Sequence, residues 1–164
     1  MTNIRLTPPA FCKCMILRLC VAGIILMAAV AACSPVKLLN ATIPSARYTV
    51  HKDIAYGTDE RQKLDFYVPD TATPTHKLPV MVFFYGGSWQ WGSKNDYLFL
   101  GQALASKGII AVIADYRVYP QVYYPDFVRD GASAFRFTHD HIGEYNGDSN
   151  AMFLAGHSAG AYNA

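Results

Sequence analysis

Acidic residues are missing from the first 32 positions, and cysteine is nearly missing from everything after them. Three of the four cysteines, Cys12, Cys14 and Cys20, stand in that first segment, which leaves Cys33 alone in the rest of the chain. A lone thiol builds neither a disulfide framework nor a thiolate metal site. The sequence also lacks a phosphate-binding Gly-Lys-Ser/Thr loop, a dinucleotide fingerprint, a His/Asp metal cluster, tandem repeats and low-complexity tracts. Charge is scarce, at 16% of residues. Without the first 32 residues the chain has eleven Lys and Arg against twelve Asp and Glu, so no basic face for nucleic acid is expected.

That opening segment carries Arg5, Lys13 and Arg18, followed by an apolar stretch over residues 19–32. Basic start, apolar middle and small residues at the end make a secretory signal pattern. As a helix, the stretch would reach about 21 Å against the roughly 30 Å of a bilayer core, so a permanent membrane span is the weaker reading. It ends Val30, Ala31, Ala32, Cys33, Ser34, which resembles the bacterial lipobox. The resemblance implies cleavage before Cys33 and a lipid on that cysteine, anchoring an exported protein to a bacterial membrane, on its periplasmic or outer side. The other reading is a soluble-secretion signal cut nearby. The expected division is a signal peptide over 1–32, a tether over 33–46 carrying two prolines, and a folded body over 47–164.

With 52% apolar residues the body is built to bury a core. Residues 47–55 and 63–68 alternate like an antiparallel pair, turning through Tyr56, Gly57, Thr58 and Asp59. Residues 78–85 and 109–114 are continuously apolar, which suits strands of a parallel sheet buried on both faces. Between them, 96–107 predicts a helix with Leu98, Leu100, Ala103 and Leu104 inward and Gly108 closing it. A second helix is predicted over 126–142, with Phe127, Ala134, Phe135 and Ile142 on one face. Asp148, Ser149 and Asn150 read as turn formers before a last strand. The order of elements is that of an α/β sheet.

Two glycine motifs end two of these strands. Gly156, His157, Ser158, Ala159 and Gly160 form Gly-x-Ser-x-Gly between the strand 151–155 and a small-residue helix start. A serine hydroxyl is a poor nucleophile unless a sharp turn exposes it beside a base and oxyanion donors, and glycines permit that turn. Taken alone, such a pentapeptide also marks ordinary strand ends. Tyr85, Gly86, Gly87, Ser88 and Trp89 follow the other strand. Glycines leave backbone N–H groups approachable, as an oxyanion hole requires. Two such loops at two strand ends favour one shared site.

Four stretches, QKLDFYVP (62–69), VFFYGGSWQWG (82–92), ADYRVYP (114–120) and FLAGHSAG (153–160), carry a family resemblance. The chain is similar to the first half of an α/β-hydrolase of the carboxylesterase and hormone-sensitive-lipase-like kind, including esterases like isoprenylcysteine methylesterases and kynurenine formamidases. That resemblance implies Ser158 as nucleophile, with Gly87, Ser88 and Ala159 N–H groups as the oxyanion hole and Gly86, Gly156, His157 and Gly160 as motif residues. In the family the glycine loop more often opens on histidine, where Tyr85 stands here. An acid and a histidine are implied downstream of the serine, yet His51, His76, His139, His141 and His157 all precede Ser158. The expectation is therefore the N-terminal half of an α/β-hydrolase sheet, truncated just after the nucleophile elbow, with no cofactor and no metal.

Other residues carry open readings. Asp115 and Arg117 are expected to form a buried ion pair that organises their loop. Trp89 and Trp91 either wall a pocket or pack the core, and Tyr116, Tyr119, Tyr123 and Tyr124 either form an aromatic platform or fill half-wet loops. The functional readings are a lipid-anchored serine esterase acting on a small carboxylic ester, with an amide such as a formamide within the same chemistry and this chain alone expected inactive without the missing acid and histidine, or a catalytically inactive truncated remnant or non-catalytic surface lipoprotein. Oligomeric state is not legible.

Overall fold

The computed structural model describes residues 35–44 and 47–164, so the expected signal peptide over 1–32 and the expected lipid attachment at Cys33 lie outside the described residues. The chain divides after Leu38, and the second unit, Leu39–Ala164, holds the whole sheet. Part of the expected tether is helical: α1 spans Pro35–Ala41. Proline is tolerated at a first helical position and the residues after it include good helix formers. Asn40 then fastens the chain, donating to the Asn95 and Asp96 carbonyls at 3.1 and 3.2 Å and accepting from Phe99 N at 3.1 Å.

Five strands form one sheet: β1 (Tyr48–Ala55), β2 (Lys63–Pro69), β3 (Leu78–Phe84), β4 (Ile110–Ala114) and β5 (Gly147–Gly156). Their order is β1-β2-β4-β3-β5. The alternating segments pair antiparallel as β1 and β2, and β2 runs antiparallel to β4. The two continuously apolar runs, β3 and β4, lie side by side in parallel, with β5 parallel on the other side of β3. Every residue of β4 is buried, which explains why no polar residue interrupts it.

Helix α2 (Leu98–Ala105) packs on β2 and β4, and α3 (Asp126–His141) on β3, β4 and β5. Neighbouring strand residues point to opposite faces. Phe83 meets the Tyr97 ring just ahead of α2, at 5.1 Å between centroids, whereas Phe84 reaches Gly131 of α3. The two crossovers therefore cover opposite faces.

Three details differ from the sequence reading. Helix α2 follows directly on a 3-10 turn, Lys94–Tyr97, which shifts its phase: Ala103 faces solvent, while Gly101 and Ala105 are buried. At Gly101 a Cβ would stand 2.6 Å from the Tyr67 ring, so α2 approaches β2 closely because no side chain is there. Asp148, Ser149 and Asn150 belong to β5, not to a turn ahead of it, in a stretch where the register slips between Leu78/Gly147 and Val80/Met152. Pro79 sits opposite this slip and has no N–H to pair, and Asp148 Oδ1 accepts from Asn150 N at 2.9 Å. The turn itself falls at Asn146, in the left-handed region at φ 59°.

Among the described residues no helix is long and apolar enough to cross a membrane. Among the described residues β5 pairs only with β3, and Phe153 and Leu154 on it are exposed.

Candidate active site

β5 delivers the chain into a sharp elbow. Its end is fastened to β3 by His157 N donating to Phe84 O at 3.1 Å. Ser158 follows with φ 54° and ψ −121°, strained for a residue bearing a Cβ, and α4 (Ala159–Asn163) starts at once. The Ser158 side chain is exposed and makes no capping hydrogen bond to the helix it precedes. Gly156 and Gly160 explain how the turn closes. A Cβ on Gly156 would meet the Gly160 carbonyl, and one on Gly160 would strike the Phe84 and Tyr85 carbonyl oxygens. Both neighbours are backbone, so neither position can yield.

The loop after β3 comes to the same place. A Cβ on Gly86 would lie 2.9 Å from His157 Nδ1 and 3.0 Å from Ser158 Cβ, so this loop rests directly on the elbow. Gly87, at φ 135°, is hemmed in by the Trp91 carbonyl, and its own carbonyl accepts from Gln90 N at 2.9 Å and Trp91 N at 3.2 Å. Ser88 and Trp89 then take φ values of 53° and 57°. Two successive left-handed residues with side chains persist only where their surroundings over-determine them.

Those surroundings are a polar network behind the loop. Tyr85, in the position where the resembling family more often has histidine, is buried, and its hydroxyl donates to Asp115 Oδ1 at 2.7 Å. Asp115 Oδ1 also accepts from Lys94 N at 2.8 Å. Arg61 reaches in from the β1–β2 turn, giving Nη2 to the Tyr85 hydroxyl at 2.8 Å and to Gly92 O at 2.9 Å, and Nε to Tyr116 O at 2.9 Å. Tyr116 is buried and donates back to Tyr85 O at 2.7 Å. Burial pushes the Asp115 carboxyl above its ordinary range, although Tyr85, the Lys94 amide and Arg61 pull it back. Burial also raises the Tyr116 phenol to about 12 and Tyr85 further still.

Lys94, just beyond the loop, is buried with its ammonium 2.7 Å from both Asp53 and Asp65. Burial depresses its pKa, but hydrogen bonds and charge from the two carboxylates outweigh that and hold it above the usual lysine value. Asp53 occupies a bulge of β1 at φ 57°, and Lys94 holds its carboxyl below the usual range.

The expected Asp115–Arg117 pair does not form. Arg117 grips Asp130 of α3, with Nη2–Oδ1 at 2.6 Å and Nε–Oδ2 at 2.9 Å, while Asp115 turns to the loop network. Trp89 is half-buried, stacked on Phe127 at 5.8 Å and edge-on to Tyr162 at 5.6 Å, and its Nε1 donates to Asn163 Oδ1 at 3.0 Å. Trp91 is exposed. The four tyrosines do not share one platform, because Tyr116 is core whereas Tyr119, Tyr123 and Tyr124 are exposed.

The structure thus brings Gly86, His157 and Ser158 together, with Gly87 and Ser88 in the adjoining turn and Ala159 at the first position of α4. The other histidines stand elsewhere. His139 and His141 end α3, which leads into the far end of β5, a strand of ten residues and so about 33 Å long. His51 packs on Tyr145, and His76 lies in the turn before β3. Among the described residues no cluster of three or more His, Cys, Asp or Glu could hold a metal. Arg61, Lys94, Asp53 and Asn163 were not legible as site supports. Only Asp65, a carboxylate inside the buried strand KLDFYVP, signals in sequence that a cation must meet it.

Comparisons with known proteins agree with this architecture. The BD-FAE family profile matches residues 64–164. A probable isoprenylcysteine alpha-carbonyl methylesterase of Arabidopsis thaliana is 41% identical over 113 residues, covering 69% of this chain and 23% of that protein. The kynurenine formamidase of Danio rerio is 35% identical over 110 residues, covering 67% of this chain and 36% of its own. Esterase B of Lactobacillus rhamnosis, solved with a tributyrin phosphonate inhibitor, superposes with a TM-score of 0.71 at 22% identity, covering 92% of this chain and 48% of that one. That last likeness shows the α/β-hydrolase fold. The chain spans about a quarter to a third of the length of these curated relatives. Its mixed sheet and a profile match over most of its length place it together with them, and the chain belongs to the BD-FAE family.

Proposed function

We propose that this chain carries the nucleophile and oxyanion-binding part of a serine hydrolase that cleaves small carboxylic esters. The observation that carries the reading is the seat of Gly86 against Ser158, at the ends of the adjacent parallel strands β3 and β5. Strain at Ser158 in an exposed elbow adds to it.

In the proposed course, Ser158 Oγ attacks the ester carbonyl carbon and its proton passes to a base. Negative charge gathers on the former carbonyl oxygen, which accepts from the Gly87, Ser88 and Ala159 amides. Collapse breaks the bond to the alcohol, which leaves with a proton and gives an acyl-serine. Water then attacks the acyl group, and a carboxylic acid and free Ser158 result. His157 faces Gly86 on the elbow itself, so the base and its acid partner are proposed to come from outside the described residues. The relatives named as a methylesterase and a formamidase support acyl transfer to water as the shared chemistry, with ester and formamide both within reach. We assign Cys33 as the lipid-bearing residue of an exported protein held at a membrane, on the lipobox alone.

A second reading, an inactive surface lipoprotein, is favoured by one observation: four of the five histidines lie away from Ser158. Labelling with a fluorophosphonate separates the two. With the base present, the hydrolase reading expects one phosphonyl group, mapped to the peptide containing Ser158 and absent from Ser158→Ala. A folded protein that carries the base and takes up no label is the result that removes it.

A further inference from the structure

Asn163 stands five residues after Ser158, on the short helix that the elbow starts. Its side chain is buried in the angle between that helix, α3 and the glycine loop. Gly131 of α3 makes room for it, since a Cβ there would come 3.2 Å from Asn163 O. Within this apolar setting, among the described residues, the carboxamide makes one hydrogen bond, accepting from Trp89 Nε1 at 3.0 Å, and its Nδ2 has no partner. An indole N–H only donates, so the carboxamide must present oxygen to it, and the unpaired donor is a direct result. Packing alone gives no reason for an amide here. A leucine would fill the space but leave the Trp89 Nε1–H without its acceptor, so the amide is there for the indole.

What the amide holds is the residue after Ser88. Ser88 and Trp89 are both left-handed, a conformation that needs external restraint. Backbone bonds restrain the loop at Gly87 O and at Trp89 O, where Tyr119 N donates at 2.7 Å. Neither ties the loop to the helix that follows the nucleophile. The Trp89 indole does, stacked on Phe127, edge-on to Tyr162 and fastened at its tip to Asn163.

We propose that Asn163 is a positioning residue: by gripping the Trp89 indole it sets the Gly87 and Ser88 amides at the distance from Ser158 that an oxyanion requires. The inference rests on the hydrolase reading for its purpose, but the clamp is measurable without any reaction.

The test uses the full chain with Asn163→Leu, Asn163→Asp and Trp89→Phe. Nitrogen-15 spectra give one indole signal for each tryptophan. In the unmodified protein the Trp89 indole N–H should exchange with solvent at least tenfold more slowly than that of exposed Trp91. Asn163→Leu should abolish the difference and shift the Gly87 and Ser88 amides, while signals from β4 stay in place. Asn163→Asp, which keeps an acceptor oxygen at the same position, should restore both. Where the chain is labelled by a fluorophosphonate, Asn163→Leu and Trp89→Phe should each slow labelling about tenfold, because small misplacements of an oxyanion donor cost that much or more. The double variant should be no slower than either, and Asn163→Asp should recover most of the rate. Absence of labelling in the unmodified protein with its base present would count against the hydrolase reading and leave the spectra to decide the clamp. Equal exchange of the two indoles in the unmodified protein, or undisturbed Gly87 and Ser88 amides in a folded Asn163→Leu, would overturn it. Should Asn163→Leu fail to fold, the indole comparison in the unmodified protein still decides.

Discussion

Replacing Lys94 with methionine isolates the support behind the glycine loop. Lys94 is 2% exposed and pairs with two carboxylates of contrasting setting: Asp53 is 64% exposed, Asp65 only 1%. On loss of the ammonium, Asp53 turns to water at small cost, as exposed ion pairs do. Asp65 cannot. Among the described residues it keeps one bond, from Asp53 N at 2.8 Å to Oδ1, and its Oδ2 already lacks a partner. Stranding one buried carboxylate costs about 3–5 kcal/mol, a large share of a typical domain's stability. For a body of this size the melting temperature should fall by on the order of 15 °C. Urea unfolding followed by circular dichroism should show the midpoint drop with an unchanged slope. Lys94→Met combined with Asp65→Leu should recover most of the loss, and Asp53→Asn alone should lower the midpoint far less than Lys94→Met does. A Lys94→Met variant no less stable than Asp53→Asn would refute the buried triad.

Two other expectations concern the same scaffold. Burial raises the Asp115 pKa above its ordinary 3.8, so the folded state binds the proton more tightly than the unfolded state. Stability from this group is thus present below 3.8 and lost as pH climbs through the raised value. Asp115→Asn keeps an acceptor for Tyr85 and Lys94, so unfolding measured from pH 3.5 to 7 should show the variant gaining on the native protein as pH rises. The opposite slope would contradict it. Gly160→Ala would place a methyl against the Phe84 and Tyr85 carbonyls, so about 1–3 kcal/mol of stability and most phosphonate labelling of Ser158 should be lost together. A stable, normally labelled variant would mean the helix does not pack as described.

The parts of the fold that could be read in the sequence are those fixed by local pattern. The unbroken apolar run of β4 has no polar position because every one of its residues is buried, and the glycines at 156 and 160 announce a backbone contact that only glycine permits. Partner choice across the chain was not legible. Asp115 and Arg117 sit two apart and look like a pair, yet Arg117 meets Asp130 on α3 and Asp115 meets Tyr85 and the Lys94 amide. Nothing in the spacing tells which face of the chain each side chain takes once the strand has ended. Ala103 was misplaced for a related reason, since a 3-10 turn of four residues advances the helix phase without leaving a mark in the hydrophobic pattern. Asn163 gave no signal at all, because its partner lies 74 residues away.

In the proposed site the two glycine loops close on a single oxyanion beside Ser158. The most direct measurement is the backbone amide spectrum of the phosphonylated protein compared with the free chain. The Gly87, Ser88 and Ala159 N–H protons should all move downfield together, each donating to the phosphonyl oxygen. A phosphonylated Ser158 that leaves Gly87 and Ser88 unmoved would contradict the claim.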